Sequence, residues 1–551
     1  MSKEQERAEL HRTIWQIAND LRGSVDGWDF KQYVLGMLFY RFISENLTNY
    51  INANEPEEGF DYAKLSDKDA EFGRADTVKE KGFYILPSEL FFNVAKNAAN
   101  DSNLNETLAA IFRDIESSAK GTESEDDLKG LFDDLDVNSN KIGATVEKRN
   151  KQLAKLLTAI AGLKLGSSNN TIDAFGDAYE YLMQMYASNA GKSGGEYYTP
   201  QEVSELLAEI STVGKTEVNK VYDPACGSGS LLLKFAKVLG EENVRVGFFG
   251  QEINLTAYNL CRINMFLHDI NYNHFDIAHG DTLVDPYHWD NEPFDAIVSN
   301  PPYSIQWEGK NNPLLINDPR FSPAGVLAPP SKADLAFTMH MLSWLSTSGT
   351  AAIVEFPGVL YRGGAEQKIR GYLIENNYID AVIQLPPDLF FGTTIATCII
   401  VLKKSKKDNK TLFIDASAEF VRGGNKNKLS DENRQKILTA FKNREDSEYF
   451  AKLVDNQKIG ENDYNIAVSS YVVQEDTREI TDITQLNAEI SRIVARQSEL
   501  RKAIDEIVAD LEGSRQYQVK TLSPVEKAYL DSIKTVQKKI EKKAKDENRH
   551  D

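Results

Sequence analysis

A carboxamide, two prolines and a tyrosine stand in a row at Asn300-Pro301-Pro302-Tyr303, directly after the apolar run Phe294 to Ser299. The run reads as a buried strand. Two prolines cannot extend a sheet, so they fix a rigid turn at the strand's carboxyl end, where open α/β sheets bind ligands. The Asn300 oxygen and the Pro301 carbonyl can each accept an N–H, while the Tyr303 ring can stack. That set suits a planar amino group on a flat ring. Two acceptors pull such a nitrogen toward tetrahedral geometry and free its lone pair to attack an electrophile. The amide NH2 of a protein glutamine fits the same grip, and an ordinary strand-to-loop turn uses the same residue types.

A second constellation precedes it. Val221 to Ser230 reads as strand then glycine-rich turn, with Asp223, Gly227, Ser228, Gly229 and Ser230 in the turn, and Leu231 to Phe235 start a helix. Glycines let backbone approach a ligand at a helix N-terminus. The spacing is neither the dinucleotide fingerprint nor the phosphate-binding loop. Asp223 would repel a pyrophosphate, so a ligand carrying positive charge fits better. The next strand, Val246 to Asn254, carries Glu252, 23 residues past Gly229. A carboxylate about 20 residues past such a turn bonds ribose hydroxyls in βαβ nucleoside sites. A third unit, His274 to Asp281, ends in an acid suited to an adenine amino group. The strand before Asn300 is then fourth in the series.

This ordered set, with Gly195-Glu196-Tyr197-Tyr198-Thr199-Pro200 ahead of it, resembles the S-adenosylmethionine-dependent DNA adenine-N6 methyltransferases of the gamma arrangement. Leu21 to Leu35 and Asp173 to Glu180 are similar to the modification subunit of type I restriction-modification enzymes, and the resemblance runs to about residue 515. It implies that Glu196, Tyr197, Tyr198, Thr199, Pro200 and Gln201, with Ser228, Gly229 and Ser230, wrap the methionine part of S-adenosylmethionine. Asp223 and Gly227 belong to the same cofactor turn. Glu252 would hold the ribose and Asp281 the cofactor adenine. Asn300, Pro301, Pro302 and Tyr303 would hold the target adenine as the catalytic set. In relatives a second aromatic clamps the flipped base from a later turn. Here Pro387 to Phe391 stands in that place, with Phe390 as the choice and Phe391 beside it. The implied partners are a specificity subunit carrying two copies of this chain, a restriction subunit and double-stranded DNA. The rival readings are a stand-alone adenine methylase and a protein glutamine methyltransferase. No separate segment has the length of a recognition domain, which disfavours the first.

The chain has 551 residues and a net charge of −20. A protein that binds DNA by itself should carry a basic footprint. The acidity therefore suits a component of a complex whose partner supplies the phosphate contacts. Cys226, Cys261 and Cys398 are too few for a disulfide framework and suit a reducing cytoplasm. The charged N-terminus lacks a signal core, no apolar run spans a membrane, and no Cys/His cluster has metal-ligand spacing, so no metal is expected.

The elements that must position these residues divide the chain in three. Residues 1–170 read as a helical domain, with Leu10, Ile14, Ile17 and Leu21 on one face, an apolar helix over Tyr33 to Ile51, an acidic solvated loop at Glu123 to Asp127 and a linker at Leu165 to Asn170. Residues 171–475 alternate strands and helices, which implies an α/β, Rossmann-like methyltransferase domain with a mostly parallel sheet. Later strands are expected at Thr350 to Phe356, Ile379 to Leu385 and Thr397 to Leu402. The long loop from Ser304 to Lys332 is a candidate DNA contact, with Lys310, Arg320 and Lys332 facing phosphates. Residues 476–551 form a helical tail. Leu486, Ile490, Ile493, Gln497, Leu500, Ile504, Ile507 and Leu511 make a heptad seam that wants another helix, in a specificity subunit or in this chain. Lysine-rich residues 533–545 follow, as a tail or a weak phosphate contact.

Overall fold

Strands β1 (Val218–Asp223), β2 (Val244–Glu252), β3 (Phe275–His279), β4 (Phe294–Ser299) and β5 (Leu345–Glu355) are runs of apolar residues because both their faces are covered. Neighbouring residues point to opposite faces: Val221, Phe248, Val298 and Ala352 enter one core, while Tyr222, Phe249, Ile297 and Ile353 enter the other. Later strands are β6 (Ile379–Gln384), β7 (Cys398–Leu402), β8 (Lys410–Asp415) and β11 (Ala451–Asp455), with a separate ribbon of β9 (Val421–Gly423) and β10 (Lys426–Lys428). The structure is a computed structural model that describes residues 3–21, 29–165, 174–189, 199–391, 393–424, 426–474 and 483–515, with short pieces at 527–528, 531–532 and 534–535. The linker after Leu165 and most of the lysine-rich tail lie outside the described residues.

The main sheet has the order β11-β8-β6-β7-β5-β4-β1-β2-β3. Pairs β1–β2, β2–β3, β1–β4, β4–β5 and β6–β8 are parallel. Strand β7 runs antiparallel between β5 and β6, and β11 is antiparallel on the edge. This is a mostly parallel α/β sheet, with helices ahead of it in the chain and a helix after it. The chain order steps outward from β1 in one direction through β2 and β3, then resumes on its other side at β4. That reversal opens a crevice at the carboxyl ends of β1 and β4, the place where such sheets take ligands.

The chain divides into two compact units, Met1–Gln474 and Glu475–Asp551. In the first, helices Lys3–Leu21, Asp29–Asn54, Leu104–Ser118 and Val146–Ala161 bury Leu10, Ile14, Ile17, Phe39, Tyr40, Phe112 and Leu157 in the same core as Val221 and Phe248. The acidic tract is a solvated turn only in part, with Glu123 and Asp126 exposed. It forms a short helix, Glu125–Leu128, against buried Arg262, whose Nη1 donates to the carbonyls of Asp126, Asp127 and Lys129 at 3.0–3.1 Å. Burial pushes the Asp127 carboxyl up to about 7. The second unit contains the helix Ile483–Arg515, and there Leu486, Ile490, Ile493, Leu500, Ile504 and Ile507 are 45–61% exposed. No helix among the described residues is long and apolar enough to cross a membrane.

Candidate active site

Because β1 to β4 run parallel, their last residues meet at one edge. Strand β1 ends on Asp223, β2 on Glu252, β3 two residues before Asp281, and β4 one residue before Asn300. The turn after β1 needs its glycines. Gly227 and Gly229 have φ of +54° and +77°, and a Cβ on Gly229 would sit 2.7 Å from the Cys261 sulfur. Gly229 is followed by the helix Ser230–Leu239, so its free backbone N–H groups face the turn. Glu252 ties this turn to its own strand: its carboxylate accepts Gly227 N–H at 2.9 Å and Asn254 N–H at 2.8 Å. Burial raises its pKa against the opposing pull of those N–H groups.

Asp223 is 1% exposed. It accepts Ala225 N–H at 3.0 Å and the Ser299 hydroxyl at 2.9 Å, joining the ends of β1 and β4. Burial nevertheless pushes its carboxyl up to about 7. Asp281 accepts Leu283 N–H at 2.9 Å, and burial raises its pKa too. Glu252, Asp281, Ile253, Pro302, Trp307 and Phe337 line a cavity of about 240 Å³. Two carboxylates and apolar walls suit an adenosine.

Asn300 opens the turn directly after β4. Its Nδ2 donates to Thr199 Oγ1 at 2.9 Å, and its Oδ1 accepts the Tyr303 hydroxyl. The carboxamide is thereby held from both ends, and Oδ1 keeps a second lone pair. The Tyr303 ring packs 4.2 Å from Phe356, the residue after β5, and 6.4 Å edge-on from Phe390. Ser304, next in the chain, has φ of +52°, and its N–H is accepted by buried Asp334 at 3.0 Å. Glu355, also buried, accepts the Thr338 hydroxyl at 3.1 Å. Burial, then Asp334, drives its carboxyl well above the usual range.

The sequence-expected residues therefore sort into three groups. Asp223, Gly227 to Ser230, Glu252, Asp281, Thr199 and Asn300 to Tyr303 converge on the crevice. Pro200 and Gln201 start the helix Gln201–Ser211 and line a second cavity of about 280 Å³ with Lys234, Phe391 and Lys426. Glu196, Tyr197 and Tyr198 lie outside the described residues. Phe390 is 2% exposed and Phe391 is partly exposed. Arg320 does not face phosphates. It is 1% exposed and donates to the Thr282 and Leu283 carbonyls at 2.7 and 2.8 Å, bracing the wall beside Asp281. Its loop is threaded through the core by Trp307, Phe321 and Leu327. Reading the chain also missed Phe356 and Asp334, because only the sheet order carries the ends of β4 and β5 to one place.

A family model described as N-6 DNA methylase matches residues 170–480, and one described as the HsdM N-terminal domain matches residues 10–160. The type I restriction enzyme MpnII methylase subunit of Mycoplasma pneumoniae is 49% identical over 530 residues, which span 92% of this chain and 97% of that one. The chain belongs to the type I restriction-modification methylase subunits. Among solved structures, the type I methyltransferase subunit from Streptococcus thermophilus superposes with a TM-score of 0.77 at 37% identity, covering 85% of this chain and 99% of that one. The MjaVII methylase subunit of Methanocaldococcus jannaschii is 34% identical over 354 residues, 62% of this chain and 59% of its own. The cofactor of this methylase is S-adenosylmethionine, and the cavity beside Glu252 and Asp281 has the chemistry to hold it.

Proposed function

We propose that this methylase subunit moves a methyl group to N6 of an adenine flipped out of duplex DNA, at a site chosen by a specificity subunit. The observation that carries the reading is the orientation of Asn300: anchored through Nδ2 to Thr199, it turns a carbonyl oxygen toward the Tyr303 side of the crevice. Pro302, two residues past Asn300, stands in the wall of the cavity lined by Glu252 and Asp281.

S-adenosylmethionine supplies a methyl group on a positively charged sulfur. Glu252 would hold its ribose hydroxyls, Asp281 its adenine amino group, and the N–H groups ahead of the Ser230–Leu239 helix its carboxylate. Ionised Asp223 adds a negative charge near the sulfonium. Thr199 and Ser228 to Ser230 complete the methionine side, with Glu196 to Tyr198, Pro200 and Gln201 assigned there by resemblance. On the substrate side, Asn300 Oδ1 and the Pro301 carbonyl accept the two amino hydrogens of the target adenine. Tyr303 stacks on the base, at about 1–3 kcal/mol, and offsets the few kcal/mol spent on flipping. Phe390 supports that ring edge-on. Positioning of nitrogen, methyl and sulfur in line supplies much of the rate.

The division of labour follows. Residues 1–170 support, 171–475 transfer the methyl group and 476–551 dock the partner. The exposed apolar side chains on the helix Ile483–Arg515 give a specificity subunit its contact, with two copies of this chain per specificity chain and a restriction subunit in the larger assembly. A net charge of −20 leaves non-specific DNA affinity to the partner. Three free, buried thiols suit a cytoplasmic setting. The experiment is methyl transfer from labelled S-adenosylmethionine to unmethylated duplex DNA or to a glutamine-bearing peptide, by the chain alone and with its specificity subunit. Label in N6-methyladenine, with the complex only, is the expected result. Label in the peptide favours the protein glutamine reading, and label in DNA from the isolated chain favours a stand-alone methylase.

A further inference from the structure

The ribbon β9–β10 stands apart from the main sheet, pairing Lys426 with Gly423, Asn427 with Arg422 and Lys428 with Val421. It sits on the loop that leaves β6 and returns as β7, some 35 residues earlier in the chain. That loop turns at Asp388, a non-glycine residue with φ of +60°, and closes by Asp388 N–H donating to the Thr394 carbonyl at 3.3 Å. The ribbon grips it densely. Lys426 Nζ donates to the Asp388 carboxylate at 2.8 Å, the Phe390 carbonyl at 2.9 Å and the Thr393 carbonyl at 3.0 Å. An ammonium has three hydrogens, and all three go to this one loop. Asn427 adds its backbone N–H to the Asp388 carbonyl at 3.0 Å and its amide to the Pro387 carbonyl at 2.8 Å. Arg422 reaches the second Asp388 oxygen at 2.9 Å.

What the loop carries explains the investment. Its Phe390 meets the Tyr303 ring edge-on, and its Phe391 faces the cavity of about 280 Å³ that Lys426 and Asn427 also line. The carbonyls that Lys426 holds belong to Phe390 and Thr393, on either side of Phe391. We propose that Lys426 and Asp388 are positioning residues for methyl transfer: the β9–β10 ribbon fixes the loop whose buried Phe390 backs the Tyr303 ring, so that a flipped base meets a tyrosine already held in place. This rests on the reading of Asn300 to Tyr303 as the base site.

The test uses the full chain copurified with its specificity subunit, labelled S-adenosylmethionine and unmethylated genomic DNA. Lys426→Met keeps the stem and removes the donors. Asp388→Asn keeps the shape and a residue type that tolerates left-handed backbone. Each should lower the single-turnover methylation rate tenfold or more, with KM for DNA and the dissociation constant for S-adenosylmethionine within twofold of wild type. The double variant should be little worse than either single one, as expected of one network. Wild-type rates in the variants overturn the proposal. So does a loss of cofactor binding by both variants in step with activity, since the ribbon would then merely hold the domain together. If the wild-type complex itself methylates no adenine, the base-site reading fails first and takes this one with it.

Discussion

Replacing Glu252 by Ala should weaken S-adenosylmethionine binding while leaving the domain folded. The carboxylate has about four lone-pair sites, and Gly227 and Asn254 N–H groups occupy two of them. Ile253 N–H also bonds the carboxylate, which leaves about one site for a ribose hydroxyl. A hydrogen bond to a charged group is worth about 1.5–3 kcal/mol, and partial solvent access discounts it, so the loss in binding should be about 1–3 kcal/mol. That is roughly a 5- to 150-fold rise in the dissociation constant, taking about 1.4 kcal/mol per factor of ten. Of the backbone N–H groups released by the substitution, that of Asn254 borders the open cavity, where water can replace the carboxylate, whereas that of Gly227 is buried, so a fall in thermal stability of about 1–3 kcal/mol accompanies the loss of binding. Titration calorimetry with the cofactor, beside a melting curve, separates the two effects. Unchanged affinity with an intact fold refutes the assignment of Glu252. A collapse of stability instead shows that its role is to hold the glycine turn.

The remaining expectations concern Tyr303, Asp223 and the exposed seam. Tyr303→Phe removes the hydroxyl that bonds Asn300 but keeps the ring, so kcat/KM should fall by about two- to tenfold, the worth of one neutral hydrogen bond. Tyr303→Ala should fall much further, and a Phe variant as inactive as the Ala variant shows that the hydroxyl outweighs the face. Asp223, with its carboxyl pushed up to about 7, is neutral at pH 6 and ionised at pH 8. A cationic cofactor favours the ionised form, so affinity should rise by about tenfold between those values, and Asp223→Asn should flatten the profile. Ile493→Asp with Leu500→Asp puts charges on the exposed seam and should separate this chain from the specificity subunit on size-exclusion chromatography, while cofactor binding survives; full assembly and activity in that variant make the seam internal packing.

Much of this architecture can be read along the chain, for a physical reason. The residues that do chemistry sit at strand ends, and a buried parallel strand announces its end by losing its apolar run. Hence Asp223, Glu252 and Asn300 stand where β1, β2 and β4 stop. Later strands over Ile379–Gln384 and Cys398–Leu402 lie close to the expected bounds, and the helix behind the seam spans it. What stayed hidden needs the sheet order. The antiparallel insertion of β7 between β5 and β6 brings the Phe390 loop to Tyr303, and β5 delivers Phe356 from 53 residues away. Arg320 shows the opposite failure. An arginine in a long polar loop looks solvated, and only the fold reveals the carbonyls that satisfy it in the interior.

The most direct test of the account is the methylation product made by the complex with wild-type chain and with Asn300→Ala. DNA exposed to each, digested to nucleosides and weighed by mass spectrometry, should contain N6-methyladenine only with the wild type. The variant should still bind S-adenosylmethionine, because Asn300 touches Thr199 and Tyr303 and none of the carboxylates assigned to the cofactor. N6-methyladenine formed at the wild-type rate by Asn300→Ala would contradict the account, as would a wild-type product methylated anywhere but at adenine N6.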